Sequence, residues 1–70
     1  MIAEGTAVLL VGPSGRRHIV RVAKGMIEAA GLGVIDGDAL CSASIGDSMK
    51  IGGHEFTVLK PSVRDLLGLI

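Results

Sequence analysis

The sequence predicts a small, mainly β domain: an antiparallel barrel or sandwich of five or six short strands with a short C-terminal helix. Short aliphatic and β-branched runs recur along the chain, separated every few residues by turn-forming glycine, proline and aspartate. Strict alternation marks the run from Glu55 to Lys60, where Phe56 and Val58 share one face and Glu55 and Thr57 the other. Helical spacing shows only in a single turn at Ala39-Leu40-Cys41 and again after Pro61.

The stretch from Glu55 to Leu67 organises the rest. Phe56 is the one aromatic residue of the chain, and it is expected to point inward with Val58, beside Val20, Val22 and Val34. Pro61 lacks an N–H and biases Lys60 to extended geometry, so the strand stops there. Ser62 with Asp65 three residues on is the pattern of a capping box, Asp standing where Glu or Gln is commoner. Val63, Leu66, Leu67 and Ile70 then follow at helical spacing and are expected to cover one end of a sheet.

From the start of the chain, Thr6 to Val11 is apolar on both faces, as in a strand covered on both sides. Gly12-Pro13-Ser14-Gly15 is a turn, and Arg16 to Val22 runs back as the second strand of a hairpin. Ile19 shares a face with Arg17 and Arg21, whereas Val20 and Val22 share the other with Arg16 and His18. Lys24-Gly25 turns into a short strand at Met26–Ala29, and a second short strand runs from Gly31 to Ile35. Asp36 or Asp38 caps the one-turn helix that follows. Ser48–Ile51, the two-residue loop Gly52-Gly53 and His54–Lys60 form a last hairpin.

Size and composition exclude several classes. Seventy residues make one small domain, which buries only about 60% of its unfolded surface. Cys41 is alone, and His18, Cys41 and His54 match no zinc spacing. A free Cys41 in aliphatic company reads as a small core residue in a reducing compartment. Asp36-Gly37-Asp38 lacks the later oxygen ligands of an EF-hand. The apolar run from Ala7 to Val11 is far short of the roughly 20 residues of a membrane span. Met1-Ile2-Ala3-Glu4 lacks the basic start of a signal peptide, so a cytoplasmic protein with no membrane partner is expected. Seven basic residues balance seven acidic ones, leaving only local clustering to attract a polyanion. His18 and His54 have no nucleophile or carboxylate at a motif spacing, and neither is expected to do acid–base work.

Val8-Leu9-Leu10-Val11-Gly12-Pro13-Ser14-Gly15 imitates the start of a P-loop. A P-loop needs Gly, Lys and Ser or Thr where this chain has Arg17, His18 and Ile19. It must also open a helix that turns its N–H groups to phosphate, and here a β-branched run follows. Nucleotide hydrolysis is not expected.

The order of these pieces is familiar: Glu4-Gly5-Thr6, then Gly15-Arg16-Arg17-His18-Ile19-Val20-Arg21-Val22, then Gly33 to Leu40, Gly46-Asp47-Ser48, and Phe56 to Asp65. Over residues 4 to 67 this resembles the N-terminal β-domain of the tRNA (adenine-N1)-methyltransferases that modify the T-loop, the archaeal ones especially. In that family a larger Rossmann-type domain follows and carries S-adenosylmethionine and the chemistry. No Gly-rich strand–turn–helix of that kind stands in these seventy residues. The resemblance therefore implies a module with no catalytic residue, no cofactor and no metal of its own. The chain departs from the family at Met26-Ile27-Glu28-Ala29-Ala30, where a His- and aromatic-containing stretch is usual, and near Leu66, where an aromatic is missing.

Two functions follow. The first is weak contact with the tRNA backbone through Arg16, Arg17, Arg21 and Lys24 on and beyond the second strand, with Lys60 and Arg64 at the strand–helix junction. Phosphate contact needs only exposed positive charge. Against it stand the neutral net charge and the lack of an exposed aromatic for base stacking. The second is association without a ligand, with another copy or with a catalytic methyltransferase domain, through the doubly apolar first strand and the tail from Leu66 to Ile70. Gathering of the arginines on one face favours RNA; pairing with Glu28, Glu55 or Asp65 favours assembly.

Overall fold

The computed structural model describes residues 1–29 and 31–68. Six strands and two short helices follow in the order β1 (Ala7–Val11), β2 (Arg17–Arg21), β3 (Met26–Ala29), β4 (Gly33–Asp36), α1 (Gly37–Ser42), β5 (Ser48–Ile51), β6 (His54–Leu59) and α2 (Val63–Leu67). The mainly β class, the antiparallel pairing and the short C-terminal helix are as the sequence predicts.

The strands form two antiparallel sheets, one of four strands in the order β2-β1-β6-β5 and one of two, β3-β4. Leu10 stands opposite His18 on one side and Val58 on the other, which fixes β1 at the centre of the larger sheet. The Gly52-Gly53 loop joins β5 to β6 with Ile51 opposite His54 and Met49 opposite Phe56. Both loop glycines have positive φ, the conformation of a tight hairpin turn.

The core lies between the sheets. Val8, Leu10, Val20, Val22, Phe56 and Val58 come from the larger one, Ile35 from the smaller, and Leu40 from α1. Val8, Leu10, Leu40 and Val58 are completely buried. Phe56 is buried as expected, but at the rim rather than the centre, with 7% of its surface exposed. Val34 does not join it. In β4 the inward residue is Ile35, opposite Ile27, and Val34 faces out at 55% exposure beside Glu28. A period of two allows only one of the neighbours inside, and the larger side chain takes the place.

Leu9 is 1% exposed yet lies outside this core, on the other face of β1 between Ile19 and Leu59. The run that is apolar on both faces is thus covered on both. α2 is tied to β2 on that side through Asp65 and Arg17. Its own apolar residues do not cover the sheet as expected: Val63 is 75% and Leu67 60% exposed. Positions 63 and 67 lie on the same face of a helix, and Asp65 turns toward the sheet in their place. Leu69 and Ile70, the end of the expected apolar tail, lie outside the described residues.

Asp36 caps α1, its carboxylate accepting the N–H groups of Asp38 and Ala39. Asp38 instead accepts the N–H of Gly25, fastening the turn before β3. Cys41 is half-buried against the core.

Candidate functional site

Two features of the surface bear on function: the distribution of the basic residues, and a cleft beside the β1–β2 hairpin. Arg16, Arg17, Arg21, Lys24, Lys60 and Arg64 are all exposed. They do not form one patch. Alternation along β2 sends Arg16 to the side of His18 and Val20, and Arg17 and Arg21 to the side of Ile19.

Arg17 makes a two-pronged pair with Asp65, Nε donating to Oδ1 at 3.0 Å and Nη2 to Oδ2 at 2.8 Å. Asp65 also accepts the backbone N–H and the hydroxyl of Ser62, each at 2.9 Å, and its own N–H donates to Ser62 Oγ at 3.2 Å. This is the capping box that the sequence predicts, with an arginine added to it. The Arg17 hydrogen bonds, then those from Ser62, hold the Asp65 carboxyl well below the usual carboxylate range; the same contact raises the Arg17 guanidinium. Arg21 donates from Nη1 to the carbonyl of Gly5 at 2.9 Å and keeps its charge at the surface. Lys24 sits in the turn before β3, Lys60 just past β6 and Arg64 in α2 next to Asp65. One arginine therefore spends its charge inside the fold, while the other five cations face solvent.

The cleft measures about 320 Å³. It is built by the hairpin loop, where Gly15 donates its N–H to the carbonyl of Gly12 and Gly12 donates to that of Arg16. Because Val11 pairs with Arg17, the loop returns the chain as a strand and opens no helix. Phe56 forms the floor, and the His18 ring meets it edge to face with centroids 6.1 Å apart. Arg16, His54 and Leu32 complete the walls. Arg16 and both histidines of the chain stand here, and among the described residues no carboxylate lines the space.

Reading the sequence missed this convergence of His18, His54 and Phe56. A signal existed: His54 and Phe56 are two apart on one strand, and His18 shares its face with Val20 and Val22. What the sequence could not show is that the two strands lie on either side of β1, bringing these faces together at one end.

No family model matches the sequence. The fold does match a solved structure, that of a SAM-dependent O-methyltransferase from Thermotoga maritima, with a TM-score of 0.82 at 21% sequence identity. The match covers 99% of this chain and 26% of that one. The chain thus has the fold of a segment about a quarter the length of that methyltransferase.

Proposed function

We propose that the domain is a non-catalytic accessory module of a methyltransferase of the tRNA (adenine-N1) type, contributing weak contact to the tRNA backbone. The observation that carries this reading is the superposition of nearly the whole chain on a quarter-length segment of a SAM-dependent O-methyltransferase, a likeness of fold. It agrees with the run of pieces from Glu4 to Asp65 that resembles the family's N-terminal β-domain. In this reading S-adenosylmethionine and the chemistry belong to another domain or subunit.

Arg16, Arg21, Lys24, Lys60 and Arg64 are the exposed cations that would meet phosphate. Arg17 contributes less, since Asp65 already neutralises it. The test is anisotropy of labelled tRNA at low salt, comparing the natural chain with the triple variant R21Q/K60Q/R64Q. Binding that weakens at least several-fold in the variant supports the reading.

The second reading, association, is favoured by the Arg17–Asp65 pair and by the spread of the cations over more than one face, and it has a further observation. Val63 and Leu67 form an exposed apolar stripe on α2, and Met26 and Val34 are exposed on the β3–β4 sheet. Sedimentation that shows a stable dimer at micromolar concentration, with no tRNA bound at low salt, favours it over RNA contact.

A further inference from the structure

The cleft beside the β1–β2 hairpin differs from the rest of this surface. The chain as a whole is neutral, with as many acids as bases. Yet the cleft collects one arginine and two imidazoles, with no carboxylate among the described residues that line it. Its floor is the one phenyl ring of the chain, and its remaining described walls are Gly31, the apolar Leu32 and the Gly12-Pro13-Ser14 loop. At about 320 Å³ it is at the small end of ligand sites, which run from roughly 300 to 1,000 Å³. A duplex does not enter a space of that size; a single extruded nucleotide does.

The groups suit the two halves of a nucleotide. A guanidinium at the mouth offers paired N–H donors that fit a phosphate. Imidazole and phenyl rings give the flat apolar faces and edges on which an unstacked base settles. The site is also preformed. Phe56 belongs to the same buried cluster as Leu10 and Val58, both completely buried, and its ring lies against Gly12. His18 is held in the β2 ladder opposite Leu10 and packed on Phe56. Phe56 and His18 therefore need little ordering on binding, whereas the exposed Arg16 and His54 side chains are ordered by it.

We infer that this cleft seats one unpaired ribonucleotide of the bound RNA, with its phosphate on Arg16 and its base against His18 and His54 above Phe56. The inference rests on the RNA reading above and sharpens it: Arg21, Lys24, Lys60 and Arg64 hold the backbone by charge, and the cleft with Arg16 holds a flipped-out nucleotide.

The chain supplies its own reporter. It has no Trp or Tyr, so Phe56, His18 and His54 give all of its aromatic side-chain signals, and all three line this cleft. In the ¹³C-labelled protein, those signals are followed by NMR against uridine 5′-monophosphate, uridine and inorganic phosphate. The expected result is a saturable shift with the monophosphate at a Kd on the order of 1 mM. Uridine should bind at least fivefold more weakly, and R16Q should lower the affinity for the monophosphate by a similar factor. No saturable shift overturns the inference. So does an equal response to phosphate alone, which marks a simple anion site. A final titration uses unlabelled tRNA. If tRNA binds and the aromatic signals stay still, the cleft assignment fails while the RNA reading stands. If tRNA does not bind at low salt, the RNA reading fails first and takes the assignment with it.

Discussion

A Cβ atom at position 12 would lie 2.7 Å from Cε2 of Phe56, so the ring rests directly on the backbone of Gly12. Gly12 is needed for space and not for an unusual backbone, since its φ is not among the positive ones. The contact joins the hairpin loop to the rim of the core and sets the depth of the cleft.

Gly12→Ala should therefore displace the Phe56 ring. The ring is buried, so it has little room to swing away, and overpacking of this kind costs about 1–3 kcal/mol. Urea unfolding measures the cost, and the aromatic NMR signals should shift in the same variant. A neutral substitution would show that the ring is not seated on this loop.

Phe56→Ala should cost about 3–5 kcal/mol, toward the lower figure because the ring is at the rim of the core. In a domain this small, that is a large part of the total stability. Thermal and urea unfolding of the variant measure it directly.

Gly37→Ala should be worse than Gly12→Ala, although the side chain added is the same. A Cβ at position 37 would clash with the backbone carbonyls of Ala23 and Gly25, which no rotamer change can move. The Gly37 N–H also donates to the Gly25 carbonyl at 2.6 Å, clamping α1 to the turn before β3. The expected outcome is loss of the cooperative fold, seen as collapse of amide dispersion in NMR. A folded Gly37→Ala protein would contradict this packing.

The Arg17–Asp65 pair predicts a pH dependence. Asp65 is ionised more readily in the fold than at its ordinary value of 3.8, so its contribution is present in full above about that pH. It is lost progressively as pH falls from there through the lower folded value. Arg17→Gln removes the largest cause of the shift and should raise the Asp65 titration toward the ordinary range. The contribution is then smaller, and it is fully lost at a higher pH than in the natural chain. Carboxyl ¹³C titration of both proteins tests this; coincident curves would show that Arg17 does not hold the carboxylate.

Much of the fold was legible because the signals were local. Alternation in Glu55–Lys60, the Gly52-Gly53 loop, and Ser62 three residues before Asp65 each involve neighbours in the chain. The two apolar faces of Thr6–Val11 correctly announced a strand covered on both sides, with Leu10 in one layer and Leu9 in the other. What was hidden was the pairing between distant segments. Arg17 meets Asp65 from 48 residues away, which turns a candidate phosphate contact into an internal ion pair. His18 and His54 looked unsupported because they stand on separate strands, and only the placing of both strands beside β1 brings them together with Arg16 and Phe56. The exchange of Val34 for Ile35 in the core turned on a single step of register.

The most direct test of the account is the salt dependence of tRNA binding. If Arg16, Arg21 and Lys24 with their neighbours neutralise about three phosphates, log Kd plotted against log salt should have a slope of roughly 2 to 3 in magnitude. The R16Q/R21Q variant should flatten that slope by about two, because each phosphate contact contributes about one unit. Arg17→Gln should change it much less, since its charge is already matched by Asp65. Binding that ignores salt, or no binding at all in low salt, would contradict the claim that this domain holds RNA by its phosphates.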